Sequence, residues 1–165
     1  MIPIDNAPLS LINCDITPLI SNNLFPSLID CIDKARINIY AIQYQWKWNI
    51  HERHSKIQQL GDCIARARRR NVAVSVILNQ GSPSQHLAVI NKVTGDRLSD
   101  LGCSVRLRHC AGLIHTKLWI IDNEFTFIGS HNVSTRSLTV NEEVTVKISS
   151  KEIACIMKEY FARLW

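Results

Sequence analysis

The 165-residue chain has no apolar run approaching the roughly 20 residues that a membrane-spanning helix requires. Its opening stretch, residues 1–13, lacks the basic start and apolar core of a signal peptide. The expectation is a cytoplasmic protein with no stable membrane anchor. Six cysteines are present, at positions 14, 31, 63, 103, 110 and 155, yet none forms a CxxC pair. No histidine cluster has zinc-site spacing either. Reduced, buried thiols are therefore expected, with no metal and no cofactor. There is no low-complexity linker and no internal repeat, which excludes a solenoid or a tethered multi-domain array. Charge is extreme in neither direction: a formal +5 and a pI near 9.0 only weakly favour a polyanionic partner.

What remains is the composition of one soluble domain, expected to cover residues 1–165. Phe25, Leu28, Ile29, Ile32 and Ala35 repeat at helical spacing and predict a helix over 24–35. A strand follows over 36–45, then an amphipathic helix over 56–70. The nearly continuous apolar run 72–78 suits a strand covered on both faces. A polar loop over 79–85 precedes a helix near 86–100 and a short strand at 105–108. Segments 113–121 and 125–130 read as a hairpin turning at Asp122-Asn123-Glu124; a strand at 144–148 and a helix at 151–164 close the chain. Helices and strands alternate before strands cluster, so the predicted class is α/β, a mixed central β-sheet flanked by helices on both faces.

One stretch carries the chemistry: His115-Thr-Lys117, then Asp122, then Gly129-Ser130-His-Asn132. Alternate strand residues share a face, so His115 and Lys117 point together. With the turn centred on Asn123 and Glu124 and no bulge, Asn132 faces His115 and Ser130 faces Lys117. An imidazole, an ammonium, a hydroxyl and a carboxamide then share one patch. Such a set suits a phosphodiester: fixed positive charge and directed donors for the non-bridging oxygens, and an imidazole able to attack or to give up a proton. Gly129 is expected to let the backbone approach the ligand closely.

The spacing His-x-Lys-x4-Asp-x6-Gly-Ser-x-Asn resembles the complete HKD signature of the phospholipase D superfamily. Ser134 and Asn141-Glu142-Glu143 are similar to the downstream pattern of its small bacterial nucleases. The resemblance implies a phospholipase D-like fold and a metal-independent phosphodiesterase working through a phosphohistidine. Two such motifs normally build one site. Only one is found here, so the resemblance implies a homodimer that supplies a second His115 across a two-fold axis. It further implies that Lys117 and Asn132 clamp phosphate with help from Ser130. Glu143 would accept a hydrogen bond from His115, and Asp122 would tie the hairpin turn. The alternation of Glu143, Thr145 and Lys147 against Val144, Val146 and Ile148 favours Glu143 over Glu142 on the polar face.

Gln43 and Trp46 are candidate substrate contacts, although a tryptophan just past a strand also suits a core or a dimer interface. Arg66, Arg68, Arg69 and Arg70 could touch a polyanion, but cations at a helix C-terminus have a simpler role against the macrodipole. His51, His54 and His109 are read as exposed or incidental. A nuclease acting on DNA or RNA is the favoured reading. The alternatives are a cardiolipin-type phospholipid hydrolase and a nucleic-acid-binding module without turnover.

Overall fold

Period-two and period-3.6 patterns resolve, in the computed structural model, into one seven-stranded sheet with helices on both sides. Residues 14–48, 51–52, 54–81, 85–110 and 112–165 are described. The readings of residues 1–13, and of Arg53 and Pro83 in their loops, lie outside them. The strands are β1 (Asp15–Ile20), β2 (Asn38–Gln43), β3 (Ala73–Asn79), β4 (Ser104–Arg108), β5 (Lys117–Ile121), β6 (Phe125–Gly129) and β7 (Val144–Ser149), in spatial order β1-β7-β6-β5-β2-β3-β4. β2, β3 and β4 run parallel and the remaining neighbours antiparallel. The helices are α1 (Leu24–Lys34), α2 (Lys56–Arg69), α3 (Gln85–Asp100), α4 (Thr135–Thr139) and α5 (Lys151–Leu164).

Each face follows from alternation. Ile39, Ala41, Val74, Val76, Leu78, Trp119, Ile121 and Phe127 point to one side, where Leu28 and Ile32 of α1, Leu60 and Ile64 of α2 and Leu98 of α3 seal them. Ile42, Ile77, Leu118 and Ile120 point to the other, under Ala154 and Phe161 of α5. Serine caps define helix starts: Ser55 accepts from Gln58 N, and Ser150 from Ile153 N. A Cβ on Gly61 would come within 2.2 Å of the Trp48 ring, so glycine there lets the indole lie flat on α2.

The arginine run serves the fold. Arg66 forks onto Asp33, Arg70 donates to Ile32 O and Ala35 O, and Arg68 donates to Val72 O, so the end of α2 is tied to α1 and β3. Cys31, Cys63 and Cys103 are buried, and burial pushes the Cys63 thiol up to about 12 and that of Cys103 up to about 11. Cys110 and Cys155 are exposed, so the expectation of buried thiols does not extend to them.

Two further details differ from the sequence reading. β1 was not anticipated; it is an edge strand carrying Pro18, a residue such an edge tolerates. The β5–β6 hairpin pairs Leu118 with Ile128 and Ile121 with Phe125, one residue out of the expected register. Asp122 and Asn123 both take positive φ and lie with Glu124 outside the ladder, which shifts the turn. Continuing that register, Gly129 rather than Ser130 lies level with Lys117. The reason for glycine also changes. A Cβ there would stand 2.2 Å from Val144 O and 2.5 Å from Thr145 Cα, so it is β7, not a ligand, that demands closeness. Gly129→Ala should therefore lower stability by about 1–3 kcal/mol in urea denaturation; an unchanged midpoint would contradict this packing.

Candidate active site

Beyond Lys117 and Gly129 the arms of the hairpin part. Ile114 packs into the cluster under α5, whereas Val133 packs into the cluster on the opposite face. The chain leaving β2 runs between them: Tyr44 N donates to Thr116 O, Val133 N to Gln45 O, and Lys47 N to Val133 O. α3 holds this irregular segment with two buried polar residues. Asn91 accepts from Trp46 N and donates to Tyr44 O and Asn79 O; Thr94 donates to Trp46 O and accepts from Trp48 N. Asn79 in turn accepts from Ile114 N. Buried backbone groups outside a ladder need such partners.

Tyr44 thereby becomes the floor of the site. Its ring meets the His115 imidazole edge-on at 4.6 Å between centroids, and the Lys117 ammonium lies 5.1 Å from its centre. Lys117 is only 8% exposed and donates to His115 O at 2.7 Å. Burial pulls its pKa below the ordinary 10.5, while the negative charge of Glu143 pulls the other way. His115 itself is exposed. Asn132 is half-buried, and its Oδ1 has no hydrogen-bond partner among the described residues. That oxygen can only accept, so a contact from Asn132 to a phosphate oxygen would come from its Nδ2 donors.

Ser130 and Glu143 form a separate brace. Ser130 Oγ donates to Glu143 and accepts from Val144 N; Ser137 Oγ and Asn141 Nδ2 also donate to Glu143. Burial alone would raise the Glu143 pKa, but these hydrogen bonds outweigh it and hold the carboxyl below its ordinary value. Two expectations are corrected here. Ser130 does not face Lys117, because of the register. Among the described residues, Glu143 makes no hydrogen bond to His115, its oxygens being taken by Ser130, Ser137 and Asn141. Glu142 is exposed and accepts from Ser21 Oγ.

Other candidates lie away from the chemistry. Asp122 sits at the far end of β5 and accepts from the backbone N–H groups of Arg36, Ile37 and Asn38, pinning the entry to β2. Trp46 is fully buried against Trp119, 5.4 Å between rings, so it cannot stack on a base. Gln43 is equally buried and is paired in register with Lys117. His109 is exposed. Sequence reasoning passed over Tyr44, Asn91 and Thr94. It also passed over His131, which is buried, donates from Nε2 to Ser21 O at 2.7 Å and meets Thr145 Oγ1 at 2.7 Å. A carbonyl can only accept, so Nε2 carries the proton. Among the described residues, no group of three or more His, Cys, Asp or Glu is placed to hold a metal ion.

The α/β sheet thus carries an exposed imidazole beside a buried ammonium at one end. A family model described as "Cardiolipin synthase, PLD-like domain" matches residues 28–165. The chain belongs to the phospholipase D superfamily. It is 27% identical over 163 residues to the 5'-3' exonuclease PLD3 of Xenopus laevis, covering 92% of this chain and 32% of that protein. It is 31% identical over 104 residues to cardiolipin synthase A of Escherichia coli O157:H7 (strain EC4115 / EHEC), covering 61% of this chain and 21% of that protein. The chain thus spans about a third of the one relative and about a fifth of the other. The crystal structure of the phospholipase D family member Nuc from Salmonella typhimurium superposes with a TM-score of 0.76, covering 93% of this chain and 95% of Nuc. At 19% identity that likeness shows the shared fold alone.

The two charged groups predict opposite pH behaviour. Lys117 has a folded pKa depressed below 10.5, so at neutral pH its charge opposes folding; relief comes only as pH rises through the depressed value. Lys117→Met should keep or raise the thermal midpoint at pH 7, and a lowered midpoint would contradict the buried-charge reading. Glu143 has a folded pKa below 4.5, so its stabilisation is complete above 4.5 and lost as pH falls through the folded value. Glu143→Gln should lower the urea midpoint at pH 7, and the deficit should vanish in acid.

Proposed function

We propose that the chain is a metal-independent nuclease that hydrolyses DNA or RNA phosphodiesters through a phosphohistidine, at a site shared between two copies. The observation that carries this reading is the buried Lys117 ammonium, held beside the exposed His115 imidazole against the Tyr44 ring. A nitrogen of His115 attacks phosphorus; the N–P bond forms as the bond to the leaving oxygen breaks. His115 of the second copy gives its proton to that oxygen, then takes one from the water whose oxygen attacks phosphorus as the N–P bond breaks and frees the first His115. Lys117 and Asn132 of both copies hold the non-bridging oxygens as charge develops. The residues 1–165 act as one catalytic domain.

A sheet face beside the site supports the second copy. α5 lies over β2, β5 and part of β6 on its face. Over β1, β7 and β6 the same face leaves Ile16 62%, Ile20 54%, Val144 55% and Ile128 38% exposed. Ile20, Ile128 and Val144 lie at the strand ends nearest the site, so a copy docked there brings the two sites together. The similarity to cardiolipin synthase A favours one second reading, a phospholipid hydrolase.

Labelled oligonucleotides incubated with excess EDTA should be cleaved by the wild type. His115→Ala should lose cleavage by at least about a thousandfold while retaining binding. Metal-dependent cleavage, or turnover of cardiolipin alone, would overturn the nuclease reading. Light scattering should give twice the chain mass; an active monomer would rule out the shared site.

A further inference from the structure

A cleft of about 390 Å³ opens next to the site and is lined by Gln45, Lys47, Glu52, Ser134, Thr135 and Arg136. We propose that it is a second phosphate subsite, seating the backbone phosphate next to the scissile one and making an extended polynucleotide strand the substrate class. This rests on the phosphodiesterase reading above and deepens it.

Continuity with the site comes from the chain itself. Gln45 follows Tyr44, whose ring touches both His115 and Lys117; Ser134 lies two residues beyond Asn132. The bridge between Trp46 and Val133 ties these two segments side by side. Both bridge residues are buried, so Lys47 is turned outward beside them. Two residues of extended chain span about 7 Å, the separation of neighbouring phosphates in an extended single strand.

The charge is available. Lys47 and Arg136 are exposed, and neither forms an ion pair among the described residues. The carboxylate in the cleft, Glu52, already accepts a hydrogen bond from Thr135 Oγ1 at 2.7 Å. Two cations against one carboxylate leave the cleft with net positive charge, a setting for a monoanionic phosphodiester. Among the described residues, all six that line the cleft are polar or charged.

The test uses Lys47→Gln with Arg136→Gln in the full chain. In an otherwise wild-type protein, the ratio of kcat/KM on a single-stranded oligonucleotide to that on bis(p-nitrophenyl) phosphate, which has one phosphate, should fall about tenfold or more. A single methylphosphonate next to the scissile phosphate should produce a similar loss in the wild type and little further loss in the double variant. In a His115→Ala background, binding of the oligonucleotide should weaken, and its salt dependence should become shallower by about one unit per cation removed. An unchanged ratio in an enzyme that does cleave oligonucleotides would overturn the subsite and leave the nuclease reading intact. Loss of oligonucleotide binding in the double variant, with no nucleic-acid cleavage by the wild type, would sustain the subsite and sink the nuclease reading. Absence of oligonucleotide binding, or a loss confined to anionic phospholipid vesicles, would overturn the subsite.

Discussion

The structure turns on one awkward charge: an ammonium at the end of a central strand, taken largely out of water. Lys117 begins β5 on the face that otherwise holds Trp119 and Ile121. Burial opposes its charge, and the surroundings return only part of the loss through His115 O, the Tyr44 ring and the field of Glu143. None of those partners fully neutralises it as an adjacent carboxylate would. The charge is left under-compensated and pointed at the space beside His115, which is the condition for binding a phosphate strongly where its own charge grows. Stability is given up at the point where the proposed chemistry would need it.

Much of the surrounding structure can be read as support for that residue. The sheet ends there on both sides, because Gly129 and β7 pack too closely for any side chain and the hairpin arms then diverge. The gap is filled by the segment after β2, which has no ladder of its own and depends on Asn91 and Thr94. His131 fastens the other arm to Ser21 and Thr145. Glu143, fixed by three donors, keeps a negative charge within electrostatic reach of Lys117.

The sequence made the regular parts legible. The apolar spacing in 24–35, 56–70 and 151–164 matches α1, α2 and α5 closely, since a long amphipathic period leaves little freedom. It also showed the motif that contains His115, Lys117 and Asn132, because spacing within a hairpin survives without tertiary knowledge. Several features depended on contacts between distant segments and were not legible. The register moved by one residue through the backbone of Asp122 and Asn123. α4 is five residues long and carries no period to detect. For Trp46 the sequence left open a substrate contact or a place in the core or an interface, and Trp119 and Asn91 of α3 decide for the core. Tyr44 had no signal at all; only the path of the chain after β2 brings it under His115.

The motif supplies one His115 per chain, and the proposed reaction, which needs both a nucleophile and a proton donor, calls for a second copy. The most direct test mixes wild-type protein with increasing amounts of His115→Ala under conditions that exchange subunits, then measures oligonucleotide cleavage in EDTA. A site that needs two His115 side chains predicts that activity falls in proportion to the fraction of wild-type pairs, so excess variant extinguishes it. Activity that stays proportional to the wild-type protein added would show that each chain acts alone and would contradict the shared site.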